Sequence, residues 1–146
     1  MPTKTEALKI SAAEWQIMRV VWTFGNPDSN QVISAVQEDH QWAPSTVRTL
    51  LKRLTKKQLL RTEKRGRAFS YRPVVSEPDA ILEKSLHLLQ STCTVKVGEI
   101  LATELATLPL DQTDIAQLMA ILKQRQLTAP NQLDCDCPPD DCRCSQ

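Results

Sequence analysis

Four of the five cysteines in this chain of 146 residues fall within one short segment, as Cys135, Cys137, Cys142 and Cys144. They form a Cys-x-Cys, four-residue gap, Cys-x-Cys array. Each pair can present two thiolates to one ion, and the Pro138-Pro139 spacer helps the chain turn back so that the second pair joins the first. Four thiolates suit tetrahedral Zn(II), and clustered thiolates suit Cu(I), a soft ion of low coordination number. A hard ion such as magnesium or calcium has no reason to choose this site. The neighbouring Asp134, Asp136, Asp140 and Asp141 are expected to stay solvated. Competing explanations of the array are a redox pair or the remnant of an expression tag. Cys93 stands apart in an amphipathic stretch and is expected to be a small buried apolar residue. His40 and His87 are isolated and read as structural or exposed.

A second set of residues points to a polyanion. Between Ala43 and Lys57, Val47, Leu50, Leu51 and Leu54 recur at helical spacing and predict a buried face. Ser45, Arg48, Thr49 and Lys52 have the same spacing on the opposite face, flanked by Thr46, Arg53 and Lys56. From Ala43 to Arg72 there are ten Lys/Arg and one acid, Glu63. An ordinary solvated face would mix acids with bases. Hydroxyls and an arginine near a helix N-terminus suit base edges in the major groove, and lysines further along suit phosphates. Arg65 and Arg67, at the tip of a short hairpin, are placed to reach an adjacent groove or the backbone. The alternative is a basic face with no ligand. RNA is disfavoured because aromatic stacking platforms are missing.

These residues need elements to position them. Ser11-Ala-Ala-Glu14 reads as a capping box that opens a helix with Trp15, Met18, Val21 and Trp22 on its apolar side. Gly25-Asn26-Pro27 stops it, and Asp28 or Ser29 caps a second helix carrying Val32, Ile33 and Val36, ending near Gln41. Pro44 opens the third helix, which runs to about Lys57. Two strand-like runs, Leu60–Lys64 and Ala68–Arg72, flank a turn at Arg65-Gly66. Three helices followed by a two-stranded ribbon predict a winged helix-turn-helix domain over residues 1–75. Ser76-Glu-Pro-Asp79 is a further capping signature, opening a helix with Ile81, Leu82, Leu86 and Leu89. Another helix is expected over Val95–Ala106. A last one is capped by Asp111, with Ile115, Leu118, Met119 and Leu122 in register. Three short helices make a poor independent core, so residues 76–128 read as a dimerisation module. The alternative is that their apolar stripes pack on the N-terminal domain. Residues 129–146 read as a flexible metal-binding tail. The predicted fold is therefore mainly α with a small β-hairpin.

Charge supports the division. Residues 1–75 carry 13 Lys/Arg and 6 Asp/Glu, whereas residues 76–146 carry 5 and 11, giving the net +1. A basic half joined to an acidic half argues that only the first meets nucleic acid. No apolar run approaches the ~20 residues that span a bilayer. The N-terminus has no apolar signal region, so a cytoplasmic protein with reduced cysteines is expected. With three glycines there is no glycine-rich phosphate loop. No nucleophile–base set stands out either, and a four-thiolate site is closed to substrate. An enzyme is not expected.

Three stretches together resemble the penicillinase-repressor (BlaI/MecI/CopY) family. They are Ser11-x-x-Glu14-Trp15-x-x-Met18-x-x-x-Trp22, Ser45-Thr46-Val47-x-Thr49-Leu50-Leu51-x-Arg53-Leu54, and Glu63-Lys64-x-Gly66-Arg67-x-Phe69-x-Tyr71. The cysteine tail is similar to that of the copper-responsive branch. The resemblance implies a winged-helix homodimer on palindromic double-stranded operator DNA, with one recognition helix per half-site. It also implies a zinc-loaded form that holds DNA and leaves it when Cu(I), delivered by a copper chaperone, displaces the zinc. The β-lactam-sensing branch is instead inactivated by proteolysis and lacks such a tail. Gln58 departs from the family, because many relatives have glycine after the lysine pair that ends the recognition helix. Without glycine a left-handed cap costs about 1 kcal/mol. Two rival readings remain: a repressor that answers to zinc, cadmium or redox stress, and a metal carrier that does not bind DNA.

Overall fold

A computed structural model describes residues 9–138 and residue 144. The chain divides into two compact units, Met1–His87 and Leu88–Gln146.

The first unit is built on three helices, α1 (Ala12–Phe24), α2 (Ser29–Asp39) and α3 (Pro44–Lys56), followed by the strands β1 (Leu60–Arg65) and β2 (Ala68–Pro73). Its start is the expected capping box. The Ser11 hydroxyl accepts from the Glu14 N–H at 3.2 Å, and Glu14 Oε2 accepts from the Ser11 N–H at 2.8 Å. Gly25, at φ 78°, ends α1. A second capping box, between Asp28 and Gln31, opens α2. That helix ends at Asp39, two residues short of the position expected from the sequence.

The core of this unit is apolar and closed. Ile17, Met18, Val21, Val32, Val47, Leu51, Leu54 and Leu59 are fully buried. Each such side chain contributes roughly 1.5–3 kcal/mol relative to an exposed one. Ile17 takes the deep position on α1, whereas Trp15 and Trp22 are half-buried beside the core and meet edge to face at 5.3 Å. The Trp22 indole N–H donates to the Val75 carbonyl at 2.9 Å, which pins the segment that follows the hairpin.

The hairpin pairs Leu60 with Pro73 through to Arg65 with Ala68. Its two-residue turn has Gly66 at φ 61°, the positive angle that a II′ turn needs at its first central position. The ribbon is also stitched to the start of α2: Asp28 bridges Ser70, and the Tyr71 N–H donates to the Pro27 carbonyl at 2.8 Å. This is a winged helix-turn-helix arrangement.

Beyond the hairpin, α4 (Glu77–Gln90) runs from the first unit into the second. The Ser76 hydroxyl caps it by accepting from the Asp79 N–H. Lys84 Nζ lies 4.6 Å from the centre of the Trp15 ring, a cation–π contact that holds α4 to the first unit. In the second unit a short 3₁₀ turn, Thr94–Lys96, leads into α5 (Val97–Thr107), and α6 (Gln112–Gln126) follows. The 3₁₀ turn occupies the beginning of what the sequence predicts as one helix from Val95. Asp111 caps α6 through a box with Asp114. Neither α5 nor α6 has a buried residue. Residues 129–138 contain no helix or strand.

Candidate nucleic-acid interface and metal centre

Helix α3 is amphipathic as predicted. Val47, Leu50, Leu51 and Leu54 are buried, while Ser45, Thr46, Arg48, Thr49, Lys52, Arg53 and Lys56 are exposed. Pro44 occupies its first turn, and Ala43 makes no side-chain cap. Ser45, Thr46, Thr49, Leu50 and Arg53 line a shallow open depression along the outer face. The Thr49 hydroxyl donates back to the Ser45 carbonyl at 2.9 Å. Its donor is thereby engaged, so the side chain offers its methyl group and an acceptor outward. Arg65 and Arg67 are exposed at the hairpin tip. Glu63, the one acid in this basic stretch, pairs with Arg72 at 3.2 Å and accepts from the Asn26 amide at 3.4 Å. Its charge is compensated locally.

The end of α3 shows how Gln58 is accommodated. Gln58 adopts φ 62°, the left-handed conformation that glycine takes without strain. The Leu59 N–H donates to the Leu54 carbonyl at 3.0 Å, and the Gln58 N–H to the Thr55 carbonyl at 3.0 Å. This is a complete Schellman cap, closed by the buried pair Leu54 and Leu59.

Just before that cap, Lys57 Nζ donates to Glu14 Oε2 at 2.7 Å and to the Lys9 carbonyl at 2.8 Å. Burial acts to raise the Glu14 carboxyl pKa. The hydrogen bond from Lys57 and the Ser11 N–H outweigh it, so the carboxyl lies below its ordinary range. The pair locks the foot of α1 to the end of the basic helix.

The second site is a cluster of sulfurs. The Sγ atoms of Cys93, Cys135, Cys137 and Cys144 all lie within 4.8 Å of one another. Cys93 is 3.4 Å from Cys135 and 3.2 Å from Cys144, and Cys137 is 3.5 Å from Cys144. A disulfide requires about 2.05 Å, so these are thiols side by side. Four sulfurs set tetrahedrally around an ion at about 2.3 Å lie about 3.8 Å apart. The observed spacings bracket that value, and the donor set fits a soft or borderline cation.

The thiols perturb one another. A hydrogen bond from Cys144, with help from the Val95 backbone, pulls the Cys93 thiol down to about 7. Cys93, followed by Cys135 and Cys144, pushes the Cys137 thiol well up. Asp136 is exposed yet engaged: its Oδ1 accepts from the Thr94 N–H at 2.9 Å, and that bond holds its carboxyl below the usual range. It is therefore not simply solvated as the sequence suggests. Asp140 and Asp141 lie outside the described residues, as does Cys142, one of the four expected ligands.

Cys93 corrects the sequence reading. Its sulfur faces Cys135 and Cys144 and does not fill an apolar face. The signal available in the sequence was its context, Ser91-Thr92-Cys93-Thr94, which is polar and breaks the apolar stripe. His40 stacks on Trp42 at 4.8 Å and has a structural role, and His87 is exposed on α4.

The sequence model of the penicillinase repressor family matches residues 10–124. The chain belongs to the penicillinase repressor family. This repressor is 39% identical over 138 residues to a protein of Latilactobacillus sakei described as an uncharacterized 16.5 kDa protein in the ptsI 3′ region, covering 94% of each chain. It is 32% identical over 118 residues to the penicillinase repressor of Bacillus licheniformis, covering 81% of this chain and 92% of that one. Among solved structures it is similar to the DNA-binding domain of the repressor BlaI, with 38% identity and a TM-score of 0.46, covering 50% of this chain and 89% of that domain. The family is one of repressors and not of enzymes. Its matched region stops at residue 124, so Cys135, Cys137 and Cys144 lie beyond it and Cys93 within it. No helix among the described residues is long and apolar enough to cross a membrane.

Proposed function

We propose that this repressor binds operator DNA as a zinc-loaded homodimer and is released when Cu(I) binds its cysteines. One observation carries the metal-sensing part: thiols gathered at ion-binding distances in a repressor, most of them beyond the region its family shares. The contact with DNA is assigned to Ser45, Thr46, Arg48, Thr49, Lys52, Arg53, Lys56, Arg65 and Arg67. What supports this is their joint exposure on α3 and the hairpin tip, together with the nearly acid-free charge of that surface. Arg48 and the hydroxyls read base edges, and the lysines hold phosphates.

The metal ligands are assigned to Cys135, Cys137, Cys142 and Cys144. Bound there, a cation would neutralise thiolates that otherwise repel one another. Dimerisation is assigned to the segment 76–128, whose apolar stripes α5 and α6 leave uncovered. The N-terminal domain, residues 1–75, then reads one half-site per protomer. To carry the operator from nearly full to nearly empty, the signal ion must favour the released state by about 5 kcal/mol. Inside the cell a copper chaperone would supply the ion to these thiolates.

Replacing Cys135, Cys137, Cys142 and Cys144 together by Ser tests the assignment. The variant is expected to bind operator DNA but to stay bound when Cu(I) is added. Copper-driven release of that variant would place the sensing site elsewhere. A second reading, with zinc or cadmium as the signal, is favoured by the four-sulfur geometry, which suits a four-coordinate ion. Release by either of these ions in place of Cu(I) would establish it.

A further inference from the structure

We propose that Cys93 is itself a ligand of the metal site, so that the bound ion staples the two ends of the α5–α6 helix pair together. This rests on the reading of the sulfur cluster as a metal site and adds to it a residue, and a mechanical role, that the cysteine tail alone does not supply.

Two independent contacts join the tail to the 3₁₀ turn that leads into α5. The first is the sulfur of Cys93, 3.4 Å from that of Cys135 and 3.2 Å from that of Cys144. The second is polar and involves no sulfur: the Thr94 N–H donates to Asp136 Oδ1 at 2.9 Å. The Cys93 backbone is itself held in place, since its carbonyl accepts from the Lys96 N–H at 2.9 Å and so closes the 3₁₀ turn. The tail therefore meets an anchored element.

The topology gives this meeting a consequence. Between Cys93 and Cys135 the chain makes all of α5 and all of α6. A cation bound by both cysteines, 42 positions apart, closes a loop that contains both α-helices and the 3₁₀ turn before them. Neither helix buries a residue of its own. Helices that bury no residue of their own are weakly held, so a metal cross-link between the ends of this segment contributes much of its order. Closing so long a loop carries an entropic cost that a bound ion offsets and unligated thiols do not. The ion thus acts on the dimerisation helices directly, and no extra element is needed to relay its presence from the tail.

The test uses the full-length protein under anaerobic conditions, with Co(II) as a spectroscopic probe and Zn(II) as competitor. Cys93→Ser is expected to lower the thiolate-to-cobalt charge-transfer absorption, because one sulfur of the cluster is lost. It is also expected to weaken zinc binding at least about tenfold, since lost ligand support costs that much. In the wild type, zinc is expected to slow amide exchange across residues 97–126, and Cys93→Ser is expected to abolish that slowing. A companion measurement needs no variant: stoichiometric zinc should protect Cys93 from alkylation as it protects Cys135. Unchanged cobalt absorption and zinc affinity in Cys93→Ser, with Cys93 alkylating at the same rate with and without zinc, would overturn the proposal and leave a sensor built on the tail alone. Metal binding that requires Cys93 while DNA affinity ignores every ion would keep the staple and remove the sensor. A wild-type protein that takes up neither metal would remove both.

Discussion

The two units of this chain are made from similar material and use it differently. Both consist mainly of short amphipathic helices opened by side-chain caps: Ser11 and Asp28 in the first, Asp111 in the second. In the first, three such helices and a hairpin close around Ile17, Met18, Val32, Val47, Leu51 and Leu54, all fully buried. In the second, Ile115, Met119 and Leu122 are 42%, 51% and 57% exposed at the spacing that should bury them. Helical periodicity states that a face needs a partner, without saying where the partner is. The first unit finds it within its own chain. The second keeps an apolar face that a second protomer would cover, and it gathers thiols at distances suited to a metal cross-link.

That contrast can be broken most forcefully in the closed core. Leu51→Ala leaves a cavity where α3 meets its neighbours, and the first unit should lose about 2–5 kcal/mol of stability. Urea unfolding followed by tryptophan fluorescence reads this loss, because Trp15 and Trp22 border the core. Leu122→Glu attacks the open face instead. It should leave the unfolding of the first unit unchanged, turn a dimer into a monomer in sedimentation, and lower operator affinity by on the order of 10²-fold as the paired half-sites lose their linkage. If Leu122→Glu sediments as the wild type does, the apolar face of α6 is not the dimer contact.

Smaller effects sharpen the account of the first unit. Glu14→Gln removes the charge that Lys57 meets at 2.7 Å and should cost about 1 kcal/mol near neutral pH. The Glu14 carboxyl is held below its ordinary value of 4.5. Its contribution is therefore present above that pH and is lost as pH falls through the lowered folded value. Acid titration of stability should accordingly be flatter below pH 4.5 in Glu14→Gln than in the wild type. Gln58→Gly should stabilise by at most about 1 kcal/mol, because glycine takes φ 62° without strain but gives up more freedom on folding. A loss of stability there would mean that the Gln58 side chain contributes something beyond its backbone angle.

What could be read from the sequence follows the range of the interactions. The Ser11–Glu14 box, the two faces of α3 and the turn at Gly66 are set by residues within seven positions of each other, and local spacing predicts them. Ile17 escapes the sequence pattern because the tryptophans beside it draw that pattern to their own side of α1. Gln58 was visible as a departure, and the structure shows that the departure changes the residue and not the cap. The cysteine tail announces itself by composition. Its partner Cys93 does not, since it lies 42 positions before Cys135 and only the folded chain brings the sulfurs together.

The most direct test is anisotropy of a labelled palindromic operator duplex and a scrambled control, titrated anaerobically with the zinc-loaded repressor and then with Cu(I). Tight binding to the operator alone, reversed by Cu(I), is the predicted result. Operator binding that Cu(I) leaves unchanged would contradict copper sensing, and equal affinity for the scrambled duplex would contradict the reading of bases by α3.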